Sequence, residues 1–396
     1  MLMSAQPVAN RIGLLSAAMQ PFMKFMRDSP YLERAADPGI SDFAIGNPHE
    51  VPMAEFTTIL QAFAVPKDKD WFAYKLSEPE AQNVVANSLR EWKGLAVQPE
   101  DVAMTNGAFA AIQLALQTVV NPGDEVLMMI PPWFFYEAQI RAAGGVPVRV
   151  KVAPATFDLD LPAIASAITS KTRAIIVNSP NNPTGKIYSR ETLTSLASLL
   201  TDASRKFGQT IYLISDESYS RIVYDNRTFV SPAAVYPNTL LIYTYGKTLL
   251  TPGQRIGYIA LPEAMEHRMA LREALMVAQL TGGFLFPNAL LQHALASLEK
   301  LSVDIEHLQF KRDWLTSELR AMGYDVHSPE GTFYLLPSSP MADDWQFSEV
   351  LARNNILCLP GSVVEMPGYF RLSLTANDAM IERALPNFRK AIAEAG

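Results

Sequence analysis

Cysteine is nearly absent: Cys358 is the only one in 396 residues. A disulfide framework is therefore excluded, and this usage fits a reducing compartment, so a cytoplasmic location is expected. The five histidines, His49, His267, His293, His307 and His327, are scattered, and none pairs with another at ligand spacing. No metal site is expected. No run approaches the ~20 apolar residues that a membrane-spanning helix needs. Met1–Leu15 carries Arg11 and has no continuous apolar core of signal-peptide length. Positive charge is also short: 33 Lys plus Arg against 40 Asp plus Glu leave a formal charge of −7. Such a surface repels phosphate backbones, and a nucleic-acid groove is not expected. GxGxxG is missing. Gly246-Lys247-Thr248 looks like the end of a P-loop, but Leu241 stands where that motif needs glycine. Internal repeats and low-complexity tracts are missing as well.

What is present is globular: 49% hydrophobic and 18% charged residues. The length suggests two or three structural units. Between residues 100 and 260, short β-branched runs alternate with helical ones. Glu125–Ile130, Val146–Val152, Ala174–Asn178, Ile211–Ser215, Leu240–Thr244 and Ile256–Ala260 read as strands covered on both faces. Phe109–Val120, Leu161–Ile168 and Ser189–Phe207 read as helices between them. The alternation predicts an α/β fold with a largely parallel, doubly wound sheet. Beyond Pro262 come amphipathic stretches, Glu263–Gln279 and Asn288–Met322, the second too long for one helix. Short strands follow around Phe333–Leu336, Ile356–Leu359 and Phe370–Leu374, then a helix from Asp378 to Ala395. This is an α+β unit. The proline-bearing N-terminal segment is expected to pack on it, giving a large domain over 50–285 and a discontinuous small domain from 1–49 and 286–396.

In open α/β sheets ligands bind outside the carboxyl ends of the strands. One strand runs into Asp216, with Tyr219 close behind, and another into the amide-rich turn Ser179–Gly185. A third runs from Thr244 into Tyr245-Gly246-Lys247, with Arg255 eight residues past the lysine. Thr105-Asn106-Gly107-Ala108-Phe109 opens a helix whose free N–H groups suit an anion, unless Asn106 simply caps it. Trp133 lies just past another strand end. An amine for an aldehyde, a carboxylate for a ring nitrogen, a flat indole and an anion cradle together specify pyridoxal 5′-phosphate (PLP).

The motifs Thr105-Asn106-Gly107-Ala108, Asn182-Pro183-Thr184-Gly185, Asp216-x-x-Tyr219, Thr244-x-x-Lys247 with Arg255, and Phe370-Arg371-Leu372-Ser373 stand in the order found in one family. Across roughly residues 40 to 390 the chain resembles the fold-type I PLP enzymes, specifically the aspartate aminotransferase-like class I/II aminotransferases. The resemblance implies that fold and a ping-pong exchange of an amino group between an amino acid and a 2-oxo acid. It makes Lys247 the Schiff-base lysine and proton shuttle, Asp216 the partner of the pyridine nitrogen, and Asn182 and Tyr219 the partners of the ring's 3′-oxygen. Trp133 becomes the stacking ring, and Gly107, Ala108, Phe109, Thr244 and Arg255 the phosphate cup. Arg371 becomes the grip on the substrate α-carboxylate, beside Gly46. Tyr74 would reach the cofactor of a neighbouring subunit, which implies a homodimer with shared sites. Two departures stand out: Pro79 near the Tyr74 motif, where a glycine usual in the family is replaced, and Gly246 where many relatives carry serine.

Two rivals share these residues. A β-eliminating lyase would start from the same substrate carbanion. A PLP-binding sensor domain would need a DNA-binding module, for which residues 1–40 are too few and too little basic. For the substrate side chain, Pro21-Phe22-Met23 and Phe333-Tyr334 suit an apolar or aromatic group.

Overall fold

The computed structural model describes residues 8–395; of the N-terminal stretch Met1–Leu15, residues 1–7 lie outside them. The chain opens with α1 (Asn10–Ala18), α2 (Gln20–Asp28) and α3 (Tyr31–Arg34), then the short strand β1 (Ser41–Asp42) and helices α4 (Ala54–Phe63) and α5 (Pro79–Lys93). The α/β part follows: β2 (Val102–Thr105), α6 (Gly107–Val119), β3 (Glu125–Ile130), α7 (Tyr136–Ala142), β4 (Val146–Lys151), α8 (Leu161–Ala167), β5 (Thr172–Asn178), α9 (Arg190–Phe207), β6 (Tyr212–Asp216), β7 (Thr239–Thr244), the short α10 (Tyr245–Thr248) and β8 (Gly257–Ala260). After α11 (Arg268–Gly282), α12 (Ala289–Leu298) and α13 (Ile305–Ala321) come β9 (Tyr334–Leu335), α14 (Asp344–Arg353), β10 (Ile356–Leu357), β11 (Leu359–Pro360), β12 (Phe370–Ser373) and α15 (Asp378–Ala395).

The central sheet has seven strands in the order β2-β8-β7-β6-β5-β3-β4. Strand β8 runs antiparallel to both neighbours, and the other pairs are parallel. The core strands are covered on both faces, which explains why Ala174–Val177 and Leu240–Tyr243 are continuous apolar runs, all buried. Helix α6 is buried along nearly its whole length against the sheet, and its sequence, Ala- and Leu-rich with no charge, allows that. Helix α9 is amphipathic instead. Ser189 caps it by accepting from the Thr192 N–H (3.1 Å), and Gly208, at φ +66°, ends it in the left-handed conformation.

Strand β2 was not among the six expected strands: Val102-Ala103-Met104-Thr105 is too short to show a rhythm. The helix expected from Glu263 begins at Arg268 instead. The long Asn288–Met322 stretch divides as its length requires. Asn288 caps α12 through the Leu291 N–H (3.0 Å) and Asp304 caps α13 through the His307 N–H (2.9 Å).

The N-terminal segment does pack on the C-terminal unit. Phe25, Tyr31, Ile40 and Ala44 share a core with Leu357, Leu359, Val363 and Val364, and β1 pairs in parallel with β10. Leu291, Ala294, Leu295 and Leu298 of α12 instead share a core with α5 and the β2 side of the sheet. Helix α12 thus packs with the sheet side of the molecule. Among the described residues no helix is long and apolar enough to cross a membrane.

One glycine controls the approach of three elements at the sheet edge. Gly257 is registered between Thr105 of β2 and Thr244 of β7. A Cβ there would collide with the Tyr243 carbonyl oxygen and lie 3.0 Å from the Gly107 Cα. Both obstacles are backbone and cannot swing aside. Gly257→Ala should therefore cost about 1–3 kcal/mol by overpacking, read as a lowered midpoint in urea unfolding at unchanged slope.

Candidate active site

The carboxyl ends of β2, β3, β5, β6 and β7 and the start of β8 meet at one edge of the sheet, as the register requires. A cleft of about 240 Å³ opens there. Its lining brings together eleven of the residues singled out from the sequence: Gly46, Ala108, Phe109, Trp133, Asn182, Asp216, Tyr219, Thr244, Lys247, Arg255 and Arg371.

Asp216 ends β6 and is buried. Its Oδ2 accepts from the Tyr136 hydroxyl (2.6 Å), and its Oδ1 accepts from the Ser218 N–H (3.1 Å) and hydroxyl (2.5 Å). Burial, then the charge of Asp216, pushes the Tyr136 phenol well above its ordinary range, so Tyr136 remains a donor. The next residue serves the opposite side. Glu217 accepts from Lys93 (2.5 Å), Ser215 (3.0 Å) and Ser231 (2.5 Å). Burial lowers the Lys93 pKa although Glu217 works against it. This buried pair fixes the backbone at the point where Asp216 leaves the strand.

Asn178, at the end of β5, ties two loops together. Its Nδ2 donates to the Asp216 carbonyl (2.9 Å) and its Oδ1 accepts from the Asn182 N–H (2.7 Å). The Asn182 side chain in turn accepts from Arg371 Nη1 through Oδ1 (3.1 Å), which leaves its NH₂ group free to donate into the cleft. Arg371, on β12, also donates from Nη2 to the Ala44 carbonyl (3.0 Å) and lies 4.1 Å from the centre of the Tyr334 ring. Its Nε is buried with no partner among the described residues.

Lys247 sits on α10, directly after β7, with Nζ 5.6 Å from the Tyr219 ring centre and 5.7 Å from that of Phe333. Burial, and after it Tyr334, raises the Tyr219 phenol well above its usual pKa. Tyr334 is held below its usual value: burial acts upward, but the charges of Arg371 and Lys247 outweigh it.

At the far end, α6 begins at Gly107. Asn106 does not cap the helix with its side chain; its Nδ2 donates to the Phe284 carbonyl instead (3.3 Å). The leading amides therefore face the cleft without a side-chain acceptor. Gly107 has φ +82°, and a Cβ on it would stand 2.8 Å from Arg255 Nη2. Arg255 donates from Nη1 to the Pro252 carbonyl (2.7 Å), and burial lowers its pKa. The Thr244 hydroxyl is engaged with the Ile256 carbonyl (3.1 Å), tying β7 to the segment entering β8.

Gly107 stands behind Arg255 rather than in the lining. Tyr74 is elsewhere: it is 85% exposed on the loop between α4 and α5, its ring 4.6 Å from that of Phe286. Sequence reasoning missed Ser218 and gave no role to Tyr136 or Tyr334. The run Trp133-Phe134-Phe135-Tyr136 was the available signal for Tyr136, but no spacing rule points its hydroxyl at a strand two positions across the sheet.

The profile of aminotransferase class I and II matches residues 51–388. The aspartate/prephenate aminotransferase of Thermus thermophilus is 33% identical over 344 residues, covering 84% of this chain and 86% of its own. A probable aspartate/prephenate aminotransferase of Aquifex aeolicus is 29% identical over 91% of this chain and 93% of its own. Among solved structures, an aminotransferase from Eubacterium rectale superposes with TM-score 0.90 at 27% identity, over 99% of this chain and 100% of that one. Aspartate aminotransferase from Thermus thermophilus with maleate gives TM-score 0.84 at 27% identity, over 98% and 100%. A profile match over most of the sequence and relatives aligned over most of both chains agree with the fold, and the chain belongs to the class I and II aminotransferases, enzymes that transfer amino groups.

Proposed function

We propose that the cleft binds pyridoxal 5′-phosphate and exchanges an amino group between an amino acid and a 2-oxo acid. The observation that carries this reading is the convergence on one sheet edge of Lys247, a hydrogen-bonded Asp216 carboxylate and an uncapped helix start beside Arg255. The donor set fits the cofactor. The α6 amides and Arg255 offer N–H groups for a phosphate, with Gly107 leaving the room that a Cβ would fill. Trp133 offers a flat face, and the Asn182 NH₂ and the Tyr219 hydroxyl suit a phenolate oxygen. When bound, the pyridine ring accepts the electron pair left as the substrate Cα–H bond breaks.

The residues of the chain do the rest. Asp216 would hold a proton on the ring nitrogen, and Tyr136 and Ser218 keep that carboxylate fixed in place. Lys247 removes the Cα proton and returns it to the other carbon of the exchange. Arg371 grips the α-carboxylate with the N–H groups that Asn182 and Ala44 leave free. The aminotransferase relatives favour transfer over elimination. Purified enzyme given an amino donor and a 2-oxo acid should produce the exchanged pair in parallel-line, ping-pong kinetics. Ammonia release without an acceptor would support elimination instead.

Tyr136→Phe tests the carboxylate clamp. It removes one hydrogen bond to a charged group, worth about 1.5–3 kcal/mol. We expect kcat to fall roughly tenfold or more, with KM little changed and the unfolding midpoint near that of the parent.

We further propose a homodimer in a reducing cytoplasm. Met269, Met276 and Leu280 form an exposed apolar stripe on α11, Phe72, Tyr74 and Phe286 are exposed as well, Tyr74 and Phe286 with ring centres 4.6 Å apart, and a second copy of the chain is the proposed cover. Size-exclusion chromatography with light scattering reads this directly.

A further inference from the structure

The relatives' names attach aspartate to those proteins, and a dicarboxylate needs a second cation at its far end. Among the described residues of one copy, the cations lining this cleft are Lys247, Arg255 and Arg371. Each already has a place in the proposed reading, which the present inference takes as its basis. Arg141 and Arg149 lie behind Trp133 and Phe134 in an adjoining cavity. Both are closed onto carboxylates: Arg141 Nε donates to Glu137 (2.8 Å), Arg149 Nε donates to Glu365 (2.8 Å), and Arg149 also reaches Glu137. Two arginines against two glutamates leave that cluster neutral.

The outer wall of the cleft is carbon. Ile45, Phe109, Ile112, Phe134 and Phe135 line it together with Trp133. The rings brace one another, Phe109 to Phe135 at 5.0 Å, Trp133 to Phe135 at 5.0 Å and Phe134 to Phe135 at 4.6 Å. From α2, Phe22 stacks on Phe134 at 4.9 Å and 14° between planes, backing the wall from outside. Phe109 is 40% exposed, an uncovered ring at a ligand cleft. A distal carboxylate pressed on this wall would lose water and gain no partner from its residues, whereas a benzyl or branched aliphatic group would gain edge and face contacts.

We infer that the amino donor carries an apolar, foremost an aromatic, side chain, and that Phe109, Phe134 and Phe135 with Ile45 form its subsite. The test measures kcat/KM of the PLP-loaded enzyme for phenylalanine, leucine, alanine, aspartate and glutamate with one 2-oxo acid acceptor. Phenylalanine should exceed aspartate by about 100-fold or more, the order that apolar-pocket discrimination reaches. Phe135→Ala and, as an independent variant on an exposed ring, Phe109→Ala should each lower the phenylalanine-to-alanine ratio roughly tenfold. Aspartate or glutamate as the best donor would overturn the inference while leaving the aminotransferase reading intact. An unchanged ratio in both variants would overturn the assigned subsite. No transfer from any donor would remove the reading of the cleft and this inference with it.

Discussion

Lys247→Ala should lower amino transfer by about 10²–10⁴-fold, the range that a positioned proton carrier contributes, and leave the fold standing. The two halves of this expectation have separate grounds. The Lys247 Nζ faces the rings of Tyr219 and Phe333 at 5.6 and 5.7 Å, with no carboxylate paired to it among the described residues. Its removal therefore strands no buried counter-charge, unlike removal of Lys93, whose partner Glu217 is wholly buried. The catalytic loss is large because neither Tyr219 nor Arg371 can take over. Tyr219 has its phenol pKa pushed well up by burial and cannot act as a base near neutrality, and the Arg371 guanidinium is taken up by the Asn182 amide and the Ala44 carbonyl. Stopped-flow measurement of the half-reaction with a single donor isolates the proton step from product release. Added methylamine should restore part of the rate, since a small amine fits the volume that the side chain vacates. A variant within about threefold of the parent would place the proton carrier elsewhere.

Most of this site was legible because of where it sits. Asp216, Lys247 and Asn182 each follow a buried apolar run, and such runs announce themselves in sequence whatever they pack against. Their order along the chain carried the family resemblance, and with it Arg371, which lies more than 120 residues past Lys247. What was not legible depends on contacts between distant segments. Strand β2 is four residues long and gains its identity from pairing with β8. The start of α6 could be read either as an anion site or as a helix capped by Asn106. Only the position of the Phe284 carbonyl, 178 residues away, turns that side chain aside. The same holds for Tyr136 and Tyr334: the Tyr136 hydroxyl matters because the sheet order sets it beside Asp216, and the Tyr334 ring because the small unit sets it beneath Arg371. The helix expected from Glu263 failed locally instead, with His267 at φ +55° just before Arg268 begins it.

Arg371→Lys should lower kcat/KM by about 10²–10³-fold for every α-amino acid donor, although the charge is kept. Guanidinium offers five donors in a fixed plane, and here that plane is shared. Nη1 holds the Asn182 amide, Nη2 holds the Ala44 carbonyl, and the face rests on Tyr334. An ammonium has one centre and cannot span these partners while also presenting two parallel N–H bonds to a carboxylate. Losing one or two charge-assisted hydrogen bonds at about 1.5–3 kcal/mol each accounts for the predicted range. The substitution should also free the Asn182 side chain, whose orientation Arg371 sets, so kcat is expected to fall alongside a rise in KM. Because Arg371 on β12 bonds to the β5–α9 turn and to the segment after β1, it joins the small unit to the sheet edge. The loss should be uniform across side chains, in contrast to Phe135→Ala, which alters the ratio between donors. A donor series in which Arg371→Lys spared one side-chain class would mean that the arginine reads the distal end of the substrate, and the carboxylate grip would have to be assigned to another group.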